Sequence, residues 1–255
     1  MQANLHITSG QRSRVLVALP GLLILLFWTT LPAAQAVLVN GASGFDSPTS
    51  FGFDDQPAGN TFTAGPQAVG ASTGESIVFT SNNVDPNGGA VISADDGNPS
   101  RQYGLGDNGT WESPFSWAGV NSESDYIEFR FDSGMVSAAG AFMNYAPGFG
   151  TPRIAAYDNQ GQLLESYNLE TAAPISTPDQ SNGGDFRGIL RHMLEIRSLR
   201  LTGAYAVANS ITFSRSLTPG PLPYLSVPGP LPLLGLAGAW GWARRLRRRI
   251  RRPLP

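Results

Sequence analysis

Four aromatic residues, Tyr103, Trp111, Phe115 and Trp117, fall in one Gly/Ser/Pro-rich stretch, with Asn108, Glu112 and Asn121 among and beside them. A flat aromatic face stacks on the C–H face of a sugar ring, and amide or acidic groups hold its hydroxyls. Tyr103, Trp111 and Trp117 are therefore candidate saccharide contacts. Indoles are also large apolar bodies that fill cores, and that reading stays open beside the first. Asn108-Gly109-Thr110 is in addition a glycosylation sequon.

A second chemistry is offered by the oxygen-rich loops Asp85-Pro86-Asn87-Gly88-Gly89 and Asp95-Asp96-Gly97-Asn98. Hard cations take carboxylates and carbonyls held by tight turns, so Asp95 and Asp96 are candidate calcium ligands. The alternating ligands and bidentate Glu of an EF-hand are absent, and Asp, Asn and Gly also form turns for local reasons. Calcium is the one candidate cofactor. No catalytic set emerges. His192 lies in an amphipathic segment, Arg191-His192-Met193-Leu194-Glu195, with no nucleophile-elbow pattern, and the ligand inventory for zinc is missing. Gly104-Leu105-Gly106-Asp107-Asn108-Gly109 matches a dinucleotide-binding fingerprint. Such a loop needs a strand before it and a helix after it. We expect neither here, and read the segment as a glycine-rich loop.

The elements that position these residues read as strands. Ile127, Phe129 and Phe131 alternate with Glu128 and Arg130, and Ala141, Met143 and Tyr145 repeat the period. Residues 154–157 and 163–167 flank Asp158-Asn159-Gln160-Gly161, a hairpin with Gly161 in the left-handed position. Residues 196–201 and 207–213 form a closing pair around Gly203-Ala204-Tyr205, with Ile211 and Phe213 inward. One helical turn is expected between Gly188 and Leu194. Short alternating runs between turn clusters predict an all-β sandwich.

The 255-residue chain has no cysteine, which excludes disulfides and thiolate chemistry. Its net charge of −2 conceals an asymmetry: all 19 acidic residues lie between Asp46 and Glu195, against eight arginines and no lysine in the central region, a formal −11 there. Such a surface repels nucleic acid and anionic lipid. Seven arginines gather between Arg244 and Arg252.

Both ends read as routing signals. Arg12 and Arg14, the apolar run from Val15 to Trp28, and Ala34-Gln35-Ala36 form a signal peptide over residues 1–36, cut by signal peptidase so that the mature chain starts at Val37. A retained anchor is the alternative, but its apolar run is short for a span. At the other end a proline-rich linker, 216–226, precedes the 13 uncharged residues from Leu231 to Ala243. As a helix that run is about 20 Å long, against roughly 30 Å of hydrocarbon. Arg244, Arg245, Arg247, Arg248 and Arg249 would hold its end in the cytoplasm. The logic is that of a temporary anchor beside a processing site.

Val227-Pro228-Gly229-Pro230, the apolar run and the arginine cluster resemble a PEP-CTERM sorting signal, in the variant of cyanobacterial members, over about the last 26 residues. Gly229 stands where the motif has its central Glu. The resemblance implies processing by an exosortase-type membrane protease, a transient inner-membrane stage, and a final place at the cell surface or in the extracellular matrix. Phe53-Asp54-Asp55-Gln56-Pro57-Ala58-Gly59, Ala155-Ala156-Tyr157-Asp158, Phe186-Arg187-Gly188-Ile189 and Ile211-Thr212-Phe213 are similar to segments of the β-sandwich domains of such proteins. Members often have an Asp where this chain has Asn209. The implied fold is a single jelly-roll-like β-sandwich over residues 37–215, resembling carbohydrate-binding modules, followed by the linker and the sorting signal at 227–255. The expectation is a non-catalytic exported protein associated with extracellular polysaccharide. The alternative is an exported polysaccharide-active enzyme, which needs two opposed carboxylates about 5–9.5 Å apart.

Overall fold

The computed structural model describes residues 36–57, 60–94 and 102–217. Within them, two antiparallel sheets enclose the main core. The first sheet runs β1 (Val37–Val39), β14 (Asp185–Leu190), β11 (Ala138–Asn144), β16 (Val207–Ser214), β9 (Trp117–Val120), β6 (Gly89–Ile92) and β3 (Asn60–Phe62). β2 (Thr49–Phe51) pairs with the C-terminal half of β16. The second sheet runs β13 (Leu163–Asn168), β12 (Arg153–Tyr157), β15 (Ser198–Thr202), β10 (Tyr126–Phe131), β5 (Ile77–Ser81) and β4 (Gln67–Val69). A separate hairpin joins β7 (Gln102–Gly104) to β8 (Thr110–Glu112), and one short α-helix, α1, covers Leu169–Ala172.

Alternation sets which side chains face inward. Ile127, Phe129 and Phe131 are fully buried, opposite Ile77 and Phe79 of β5 and Leu199 and Leu201 of β15. Ala139, Ala141, Met143, Ile211 and Phe213 meet them from the first sheet. Burying one such large apolar side chain contributes about 1.5–3 kcal/mol. β16 breaks the period of two: Ala208 and Ile211 both face this core. A bulge between Phe142 and Met143 of β11 explains it, because Phe142 pairs with Ser210 and Met143 with Ala208, leaving Asn209 as the extra residue. The Asn209 amide donates to the Ser116 carbonyl at 2.6 Å.

The predicted hairpin turn is present, with Gly161 at φ 75° donating to the Asp158 carbonyl at 3.1 Å. Three expectations are corrected. β15 and β16 are not a pair: the turn at Gly203-Ala204-Tyr205, with φ of 74°, 52° and 54°, carries the chain from the second sheet to the first. Residues 185–190 are strand β14, not the start of a helical turn, because Ile189 packs into the core from an extended chain. The stretch Gly104 to Gly109 does follow a strand, β7, although a strand and no helix comes after it.

Candidate functional site

The outer face of the first sheet is itself partly apolar. Val91 of β6 and Ala118 of β9 point into the main core, so their neighbours Ala90, Ile92 and Trp117 point the other way. With Val207, Leu105 and Trp111 they form a second cluster, covered by the β7–β8 hairpin. Trp111 is completely buried, its ring edge-on to Phe115 at 5.3 Å and parallel to Phe142 at 6.3 Å. Its indole Nε1 donates to the Gly183 carbonyl at 2.6 Å. The candidate role of Trp111 as a stacking platform for sugar is therefore corrected: its ring is wholly buried and its polar edge is already engaged.

A buried amide network fixes the hairpin. The Asn108 amide donates to Asn144 Oδ1 at 2.9 Å and to the carbonyls of Tyr145 and Ile175. The Asn144 amide donates to Thr177 Oγ1 at 2.9 Å and to the Gly183 carbonyl at 2.8 Å. The sequon at Asn108 is thus an internal bracket whose acceptor nitrogen is buried and occupied. Gly109 sits at φ 81°, and a Cβ there would collide with the Gln180 carbonyl. That contact, rather than a pyrophosphate, accounts for the last glycine of the fingerprint. On the exposed side of the hairpin, hydrogen bonds from Ser181 and Gln102 hold the Glu112 carboxyl below its ordinary pKa.

Where the hairpin cover ends, a groove of about 800 Å³ opens. Ala90 and Gly119, paired across β6 and β9, are among its smallest lining residues. Gly119 has to be small: a Cβ there would stand 2.8 Å from Val207 Cγ1 and 3.2 Å from the Trp117 ring. Tyr103 and Trp117 line the groove with their ring centroids 4.9 Å apart, and Phe149 meets Tyr205 edge-on at 6.1 Å. Trp117 is 3% exposed, whereas Phe149 is 48% exposed. The Tyr103 hydroxyl donates to the Val120 carbonyl at 2.8 Å, and burial, with the nearby Tyr205, pushes its pKa well above the ordinary phenol value. Asn87, Gln102 and Asn121 supply amides, and no charged side chain is among the described lining residues. Of the three candidate saccharide contacts, the structure brings Tyr103 and Trp117 together at this groove and places Trp111 behind it.

The remaining candidates fall elsewhere. Asp95 and Asp96 lie outside the described residues, as do Ala34, Val227-Pro228-Gly229-Pro230 and the arginines from Arg244 to Arg249. Among the described residues no group of three His, Cys, Asp or Glu side chains could hold a metal, and no helix is long and apolar enough to cross a membrane. Ala36 packs against the core, its carbonyl accepting the Tyr167 hydroxyl at 3.2 Å, and Val37 opens β1 opposite Leu190. Sequence reasoning missed Phe149 and Tyr205, which belong to loops with no alternating pattern. Their one signal was an aromatic residue within a Gly/Pro turn cluster.

No protein-family model matches the chain, and no curated protein matches it. Among solved structures, a two-domain protein of unknown function from Bacteroides fragilis is similar over 61% of this chain, at 12% identity and a TM-score of 0.29. The match spans 47% of that protein's length. A likeness at that level carries no argument about function.

Proposed function

We infer that this chain is an exported surface or matrix protein whose non-catalytic, jelly-roll-like β-sandwich engages extracellular polysaccharide through the groove on its outer face. The observation that carries this reading is the groove's chemistry: aromatic rings and uncharged amides over small residues, outside the apolar core. The alternative, a polysaccharide-cleaving enzyme, needs paired carboxylates at its cleft, and none is among the described residues lining this one.

In this reading the signal peptide ends at Ala36, and the resemblance of residues 227–255 to a PEP-CTERM signal provides the second routing step. Two features support the order. β1 starts at Val37, directly after the proposed cut, and β16 ends at Ser214, before the proline-rich linker. The arginine cluster orients a transient membrane helix, and an exosortase-type protease then acts near Pro228 to Pro230. The test is intact mass of the protein recovered from outside the producing cell, together with co-sedimentation on that cell's extracellular polysaccharide. The expected species starts at Val37, ends near Pro228 to Pro230 and co-sediments. A species that keeps the arginine cluster contradicts the processing step, and one that does not co-sediment contradicts the binding step.

A further inference from the structure

The geometry points to a more specific occupant of the groove: a neutral oligosaccharide of a few pyranose rings, stacked on Phe149 and hydrogen-bonded by Asn87 and Asn121. This rests on the reading above and narrows its ligand class. The backbone groups of Ala90 and Gly119 are committed to pairing within the sheet, so the floor presents a sheet face and not a sheet edge. A peptide that recognises an edge finds no free ladder at these two floor residues. Above that floor stand ring faces and side-chain amides, which match the C–H faces and hydroxyls of a sugar.

Charge selects within that class. No carboxylate or guanidinium is among the described lining residues, and the central region carries −11 overall. A uronate or sulfated polymer meets a repulsive field and, among the described lining residues, no compensating cation. The size fits as well: about 800 Å³ lies in the range of roughly 300–1,000 Å³ usual for small-molecule sites. The groups needed for contact are unspent. Phe149 is half exposed, and the amides of the exposed Asn87 and Asn121 donate no hydrogen bond to another described residue. Beside them the chain holds Ala204 and Tyr205 at positive φ, a conformation that non-glycine residues rarely adopt. The hydrogen bonds of Ala204 N to the Glu123 carbonyl and of Tyr205 N to the Ser122 carbonyl fix that turn, and with it the ring of Tyr205 at the groove.

The test is calorimetric titration of the purified full chain with cellotetraose, maltotetraose and mannotetraose, and with a tetrauronate of equal length. At least one neutral tetrasaccharide binds and the tetrauronate binds at least tenfold more weakly. Phe149→Ala weakens binding roughly tenfold, and Asn121→Ala severalfold, with unchanged thermal unfolding. Met193→Ala, at an exposed residue outside the groove, leaves it unchanged. Should Phe149→Ala unfold the protein, Asn87→Ala and Asn121→Ala together give the same readout from exposed positions. Absence of binding by all three neutral sugars, equal binding of the tetrauronate, or intact binding in the folded groove variants overturns the inference. If the parent and Phe149→Ala both co-sediment with native polysaccharide, the groove assignment fails, and of the function proposed above the export and the polysaccharide association stand. If neither is found outside the cell, the broader function fails.

Discussion

The two faces of the first sheet solve different problems with the same strands. On its inner face, Ala139, Ala141, Met143, Ile211 and Phe213 join the core between the sheets, by an alternation interrupted only at the β16 bulge. On the outer face, Trp111 and Phe115 cover Ile92 and Val207, and the cover then stops at Ala90 and Gly119. The inner core needs only shape and hydrophobicity. The outer cluster needs, besides these, a buried amide network to anchor a hairpin that belongs to neither sheet. The contrast teaches that the groove is defined by where a cap ends, so cap stability and groove shape are separable.

The largest effect belongs to the centre of the cap. Trp111→Ala should cost about 3–5 kcal/mol in urea unfolding, as much as a core aromatic, because it opens a cavity and removes one of the two hydrogen bonds to the Gly183 carbonyl. A loss below about 1 kcal/mol would show that the outer cluster is a surface patch rather than a second core.

Asn144→Ala comes next, at about 2–3 kcal/mol, since it removes several buried hydrogen bonds at once, to Asn108, Thr177 and Gly183, although each of these keeps another partner. Amide exchange should rise first in residues 102–112, with the strands of the main core still protected. Uniform exchange across both faces would mean that cap and core unfold as one unit.

Gly119→Ala separates groove from cap. The added methyl meets Val207 and the Trp117 ring, for an expected cost of about 1–3 kcal/mol. Tryptophan emission should shift as Trp117 moves, while Trp111 stays in place. An unperturbed spectrum and melting curve would mean that this part of the groove is more yielding than its close contacts suggest.

The smallest effect lies on the far side of the second sheet. Hydrogen bonding from Arg130, and charge from Arg130 and Arg197, hold the Asp132 carboxyl below its usual pKa. A depressed carboxyl stabilises the fold above its unfolded value, near 3.9, and that contribution is lost as pH falls through the lower folded value. Asp132 is partly exposed, so Asp132→Asn should cost about 1 kcal/mol or less near pH 7 and flatten the acid limb of the stability curve. Groove chemistry should not respond at all.

What the sequence made legible follows the same division. Strict alternation at Ile127, Phe129 and Phe131 identified the inner face, and Gly161 marked its hairpin, because period and turn chemistry are local. The fate of β15 and β16 was hidden, since a turn that changes sheets looks like a turn that pairs two strands. Asn209 and its bulge were hidden too, because one extra residue interrupts the period without a composition signal. The aromatic stretch announced Tyr103, Trp111 and Trp117 together. Only the placement of Gly183 and Phe142 against Trp111, far away in sequence, separates the buried ring from the two at the groove. Phe149 and Tyr205 reach that groove through tertiary structure alone.

The most direct measurement is amide hydrogen exchange of the full chain with and without the neutral tetrasaccharide that binds tightest. The account predicts added protection confined to residues 87–90, 102–106, 117–121, 146–149 and 205, with β12 and β13 unchanged. Protection centred on the second sheet, or none at the groove with sugar bound, would contradict it.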